Sequence, residues 1–144
     1  MLVDNAGVLS EGQAITASAA STNALDFGEN GTPIGWAGAV FGDLGLSGVK
    51  LMIQVTETFN NLGSLKCAIQ MDNDPAFGSP TTIASSEAVP LADLKAGYRF
   101  RIPDSIAEGA TERYYRLYFT VAGGTAPTTG KVFAAIVAGR PGAL

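Results

Sequence analysis

The sequence predicts an all-β protein: an antiparallel β-sandwich or jelly roll of seven to nine short strands with little helix. Three observations carry this. Several stretches alternate apolar and polar residues with period two, the signature of strands with one buried face. The 144 residues include 18 glycines and 7 prolines, enough for the many turns such a fold needs. Helical periodicity is almost absent, and no fixed-period repeat points to a propeller or solenoid.

The elements follow in order. Residues 1–12 read as an arm leading into a single sandwich domain over 13–144. Gln13 to Ala20 alternates weakly, with Ile15 its only large residue; strand and small-residue helix both remain open. Asn23 to Phe27 is a short apolar piece. Residues 28–48 hold seven glycines and Pro33, and read as a loop containing Trp36.

Val49 to Phe59 is the clearest strand. Leu51, Ile53 and Val55 share one face; Met52, Gln54 and Thr56 share the other. After the turn NNLG, Leu65, Cys67, Ile69 and Met71 share a face, so the two stretches predict a β-hairpin. DNDPAFGSP is a loop and TTIASSEAV a strand. Leu91 to Lys95 suits one helical turn ended by Gly97. Tyr98, Phe100 and Ile102 then alternate with Arg99 and Arg101. Tyr115, Leu117, Phe119 and Val121 alternate with Tyr114, Arg116, Tyr118 and Thr120. A Gly/Pro/Thr connection and the strand VFAAIV complete a second predicted hairpin.

Composition narrows the function. The formal charge is −4 with no basic run, which argues against gripping nucleic acid by counterion release. No apolar run reaches transmembrane length, and the opening MLVDNAGVLSEGQ lacks the charged and apolar regions of a secretory signal. The single cysteine, Cys67, cannot form an internal disulfide and falls on an apolar strand face, as a buried, inert thiol does. The absence of histidine removes Ser-His-Asp and Cys-His catalysis and imidazole metal ligands.

Four motifs carry weaker chemistry. Gly130-Lys131 resembles part of a phosphate-binding loop. However, five residues separate Gly124 from Gly130 where four are needed, and Val132 stands where a hydroxyl is needed. Asp72-Asn73-Asp74 begins like a calcium loop, but its sixth and twelfth positions are Phe77 and Ile83. Asp104, Glu108 and Glu112 suit exposed surface charge better than paired catalytic carboxylates. Trp36, Tyr114 and Tyr118 suit packing or an interface, with a sugar-stacking platform as the alternative. Arg99, Arg101, Arg113 and Arg116 are candidates for a positive stripe facing an acidic partner.

Two stretches, LSEGQAITASAASTNALDFG (9–28) and RYYRLYFTVAGGTAPTTGKVFAAIV (113–137), with GYRFRIP between them, form a recognisable series. Ser10, Gln13, Ala14, Thr16 and Ser18 open it, followed by Ser21, Thr22, Asn23 and Asp26. Arg113, Tyr114, Thr129, Gly130 and Lys131 close it. The series resembles the capsid cement (decoration) proteins of tailed bacteriophages, specifically the small jelly-roll group. The resemblance implies a non-enzymatic virion protein made in the host cytoplasm and bound to the outer surface of the head. Its implied partners are the major capsid protein and itself, as a homo-oligomer (dimer or trimer), with no nucleic acid and no membrane. No catalytic, cofactor or metal residues are expected. The opening arm and the 28–48 loop are the expected contact regions, and the expected contact residues are Leu2, Val3, Leu9, Trp36, Phe41, Arg99 and Arg101. The rival readings are a carbohydrate-binding or host-attachment module of the same class and a small enzyme using carboxylates.

Overall fold

The computed structural model describes residues 2–28, 50–102 and 111–138. Within them the chain forms nine strands: β1 (Leu2–Ala14), β2 (Ala19–Ala20), β3 (Leu25–Asp26), β4 (Lys50–Glu57), β5 (Leu62–Asp72), β6 (Thr81–Ser85), β7 (Val89–Pro90), β8 (Tyr114–Gly124) and β9 (Lys131–Ala138). One short 3-10 turn, Leu91–Asp93, stands where the helical turn was expected, and Gly97 follows it at φ 96°.

The strands make two antiparallel sheets. One has three strands in the order β1-β9-β4. The segment after Gly97 lies along β4, with the Val55 N–H donating to the Tyr98 carbonyl (2.8 Å) and the Phe100 N–H to the Ile53 carbonyl (3.0 Å). The other sheet has six strands in the order β2-β8-β5-β6, with β3 also on β8 and β7 also on β5. The expected sandwich-like, all-β architecture is therefore present.

The alternation read from the sequence sets the facing sides. Leu51, Ile53 and Val55 on β4 meet Leu65, Cys67, Ile69 and Met71 on β5 and Tyr115, Leu117 and Phe119 on β8 in one buried core. Burial of this apolar surface is the main force holding the sheets together. Cys67 lies fully inside that core, as expected of a buried thiol, and burial pushes its pKa well above the usual range. The three-stranded sheet is apolar on its second face too. Val8, Met52, Ala135 and Val137 form a separate cluster there, with Val3 and Phe133 against it. A strand buried on both faces reads as a continuous apolar run, which is why VFAAIV shows little alternation.

Three expectations are corrected. Residues 1–12 lie mostly within β1, which pairs with β9 from Leu2↔Ala138 to Ala14↔Lys131 through several register irregularities. These bulges, with Gly12 at φ 61°, interrupt the alternation that would have identified a strand. The 13–20 stretch is neither one strand nor a helix: it joins the end of β1 to β2 through a bend. Neither predicted hairpin forms. β4 and β5 belong to different sheets, as do β8 and β9.

Both of these connections cross from one sheet to the other, and they are bound to each other. The Asn60 carbonyl oxygen Oδ1 accepts from the N–H groups of Thr128 (2.8 Å) and Thr129 (3.0 Å), and its Nδ2 donates to Thr128 Oγ1 (2.7 Å). The Thr129 hydroxyl donates to the Thr58 carbonyl (3.1 Å). Gly130, at φ 128°, lies against Phe59, and a Cβ there would enter the phenyl ring. Only glycine meets both constraints.

Candidate functional site

Many residues of the series make hydrogen bonds or ion pairs that fix the fold, some within one sheet and some between the two. Ser10 donates to Gln13 Oε1 (2.7 Å), and Gln13 Nε2 donates to the Ala20 carbonyl (2.8 Å). Asn23 reaches back to β1, with Nδ2 on the Val8 carbonyl (3.0 Å) and its backbone N–H on the Leu9 carbonyl (2.9 Å). The buried Ser21 hydroxyl accepts from the Leu117 N–H (3.1 Å) and donates to the Asn23 carbonyl (2.7 Å). These bonds tie β1 of one sheet to β2 and to the segment that follows it, which Ser21 in turn bonds to β8 of the other. Backbone groups that would be stranded where β2 ends thereby find partners.

The ionic members each pair within a single sheet. Arg113 grips Asp26 with two parallel bonds, Nε to Oδ1 (2.6 Å) and Nη2 to Oδ2 (2.8 Å). That contact, helped by the Gly28 N–H, holds the Asp26 carboxyl down at about 2. Lys131 pairs with Glu57 at 2.9 Å and lowers its pKa. Lys131 therefore opens a strand and faces a carboxylate, so Gly130-Lys131 is not a phosphate cradle. Asp72 likewise accepts from the N–H groups of Asp74 (3.0 Å) and Ser79 (2.9 Å), which lowers its pKa. Its carboxylate organises a turn.

The outer face of the six-stranded sheet differs. Register places Tyr118 opposite Ala68 and Ala20, Arg116 opposite Gln70, and Thr120 opposite Lys66. Directly opposed residues share a face, so these side chains project together on the side away from the core. Arg116 is fixed from three directions. Its Nε donates to Gln70 Oε1 (2.9 Å), and its guanidinium carbon lies 4.1 Å from the centre of the Phe77 ring and 5.8 Å from that of Tyr118. Arg113 adds a similar contact with Tyr114, at 5.1 Å. Such cation–aromatic contacts are worth about 0.5–1 kcal/mol at exposed sites.

Phe77 was read as part of a plain loop, yet it is largely buried and sits at φ 53°. That left-handed conformation costs an L residue about 1–2 kcal/mol. The turn built on Asp72 and Asp74 sustains it, with the Phe77 N–H donating to the Asp74 carbonyl (2.9 Å). Phe77 is the one large apolar residue in DNDPAFGSP, and that was the available signal.

The expected contact residues do not form one site. Leu9, expected at a partner contact, is a core residue with 0 % exposure in the chain, turned inward among the bulges of β1. Val3 is half-buried against the second apolar cluster. Leu2 begins β1 opposite Ala138. Arg99 and Arg101 are exposed beside β4, where Arg99 lines a cleft of about 40 Å³ with Leu51, Met52, Ile53 and Phe100. That volume is far below the several hundred Å³ of a typical ligand site. Arg99 and Arg101 flank the three-stranded sheet, whereas Arg113 and Arg116 belong to the six-stranded one. The four arginines therefore make no common stripe. Trp36, Phe41, Asp104 and Glu108 lie outside the described residues.

The Bbp16 family model matches residues 9–136. It is a family of phage proteins, Bbp16 itself being a Bordetella phage protein. No curated protein matches the chain.

Proposed function

The chain belongs to the Bbp16 family, and from that premise we propose that it is a structural virion protein, a cement protein on the outer surface of a phage head. The observation that carries the reading is the family match over 9–136, the region that also contains the cement-like series from Ser10 to Lys131. Supporting it, many series residues are engaged in hydrogen bonds and ion pairs internal to the fold. That suits a part whose task is mechanical. The formal charge of −4 favours the outside of the shell over contact with packaged DNA.

In this reading the protein works by binding and not by catalysis. A protein that binds the mature lattice better than loosened capsomers stabilises the shell by mass action. It acts as a homo-oligomer on the major capsid protein. Each additional contact then benefits from the effective concentration set by the first. A carbohydrate-binding module is the second reading, favoured by Tyr114 and Tyr118 on one outer face.

Co-sedimentation tests the proposal. Purified protein is mixed with expanded capsids lacking it and with unexpanded procapsids, and the particles are pelleted. Saturable binding to expanded shells, with increased resistance to heat or chaotrope, is expected. Absence from both pellets would sink the cement reading.

A further inference from the structure

We propose that the outer face of the six-stranded sheet is the surface that docks on the capsid, and that Arg116 receives a carboxylate side chain of the shell protein. This rests on the cement reading and adds the face and the chemistry it seeks.

The argument starts from which charges are answered. Arg113 is matched by Asp26 and Lys131 by Glu57. Arg116 gives only its Nε to a neutral amide, Gln70, and among the described residues no carboxylate lies within ion-pair distance of it. Its two terminal nitrogens can still take a carboxylate end-on in a two-pronged contact; the side-on fork of Nε and Nη2 by which Arg113 grips Asp26 is closed to it, because its Nε serves Gln70. Asp72 lies close enough on the same face for the Arg116 charge to help lower its pKa, but its oxygens accept from the Asp74 and Ser79 N–H groups and make no ion pair with the guanidinium. Lys66 stands exposed farther along the same face. With Arg116 and Lys66 set against Asp72, this face keeps an excess of positive charge in a chain of net charge −4, complementary to an acidic patch.

The setting favours a docking anchor. The guanidinium is already fixed by Gln70, Phe77 and Tyr118, so little rotamer freedom remains to be lost on binding. Tyr118 is flanked by Ala20 and Ala68, whose small side chains leave its ring accessible to a partner. Arginine and tyrosine are the residue types that most often dominate protein–protein contacts.

The test repeats the capsid pelleting with three full-length variants, each checked for its melting temperature. Arg116→Ala should weaken binding at least tenfold. Arg116→Lys should also weaken it, because a lysine keeps the charge but loses the fork and the ring contacts. Thr120→Glu covers the case in which Arg116 variants fold poorly. Thr120 is exposed opposite Lys66, so the new carboxylate can pair within the fold while repelling an acidic partner. It too should weaken binding severalfold, and added salt should shrink the differences. Wild-type binding with Arg116→Ala and Thr120→Glu within twofold of it would overturn the docking face but leave the cement reading standing. Failure of the wild-type chain to pellet would remove both. Loss of self-association or of glycan binding, with capsid binding intact, would assign the face to another partner and overturn the proposal.

Discussion

At the junction of the two sheets, Ser21, Asn23 and Asn60 give their side chains to the protein's own backbone, whereas on the outer face of the six-stranded sheet Arg116 keeps two nitrogens unengaged. Both regions are polar and both are rigid. They differ in whether the hydrogen-bonding capacity is satisfied internally. A satisfied group resists removal because its partner then loses its bond, most of all where that partner is buried, as the Leu117 N–H is; an unsatisfied one on the surface is cheap to remove and matters only to a partner. Stability and docking should therefore be separable by mutation.

The largest effect is expected at the crossing connections. Gly130→Ala forces a Cβ toward the Phe59 ring at a φ that L residues rarely adopt, and should cost about 3 kcal/mol or more. Chemical denaturation would read this as a lower midpoint. Next comes Ser21→Ala, which strips the Leu117 N–H of its hydroxyl acceptor inside the protein. A loss of about 1–3 kcal/mol is expected, with capsid binding by the folded fraction unchanged. If Ser21→Ala instead impaired docking at unchanged stability, the division between the regions would break.

The smallest effect is electrostatic. The Arg113 guanidinium holds the Asp26 carboxyl down at about 2, against a usual aspartate value near 3.9. A lowered folded pKa means that the contribution is fully present above about pH 4 and lost as pH falls toward 2. Because both side chains are substantially exposed, the loss should be slight. Unfolding midpoints measured across that window should fall less steeply for Asp26→Asn than for the wild type.

The sequence made some of this legible and concealed the rest for identifiable reasons. Alternation marked the inward faces of β4, β5 and β8 correctly, because period two is a local property of each strand. It could not say which strands pair. The runs around Asn60-Asn61 and around Gly124-Gly130 look like hairpins, yet each joins opposite sheets through bonds between residues about 70 apart, such as Asn60 with Thr128 and Thr129. The strand in residues 2–14 was hidden by its bulges. Of the candidate surface, alternation alone sets Arg116 and Tyr118 on the side of their strand opposite Tyr115, Leu117 and Phe119. The seat beneath the guanidinium depends on the fold of the Asp72 turn, which brings Phe77 back over the sheet.

The pairing of β1 with β9 also sets the order of events at the ribosome. Residues 2–14 emerge first and wait for residues 131–138 before their hydrogen bonds can form. At about 5–20 residues per second, that is a delay of several seconds or more. Strands β5, β6 and β7 can meet as soon as they leave the exit tunnel, since their partners are close in sequence. The three-stranded sheet cannot close until β9 has followed. During synthesis β1 therefore lacks its β9 partner, and the irregularities that hid it from pattern reading also make it a poor template for strands of neighbouring nascent chains.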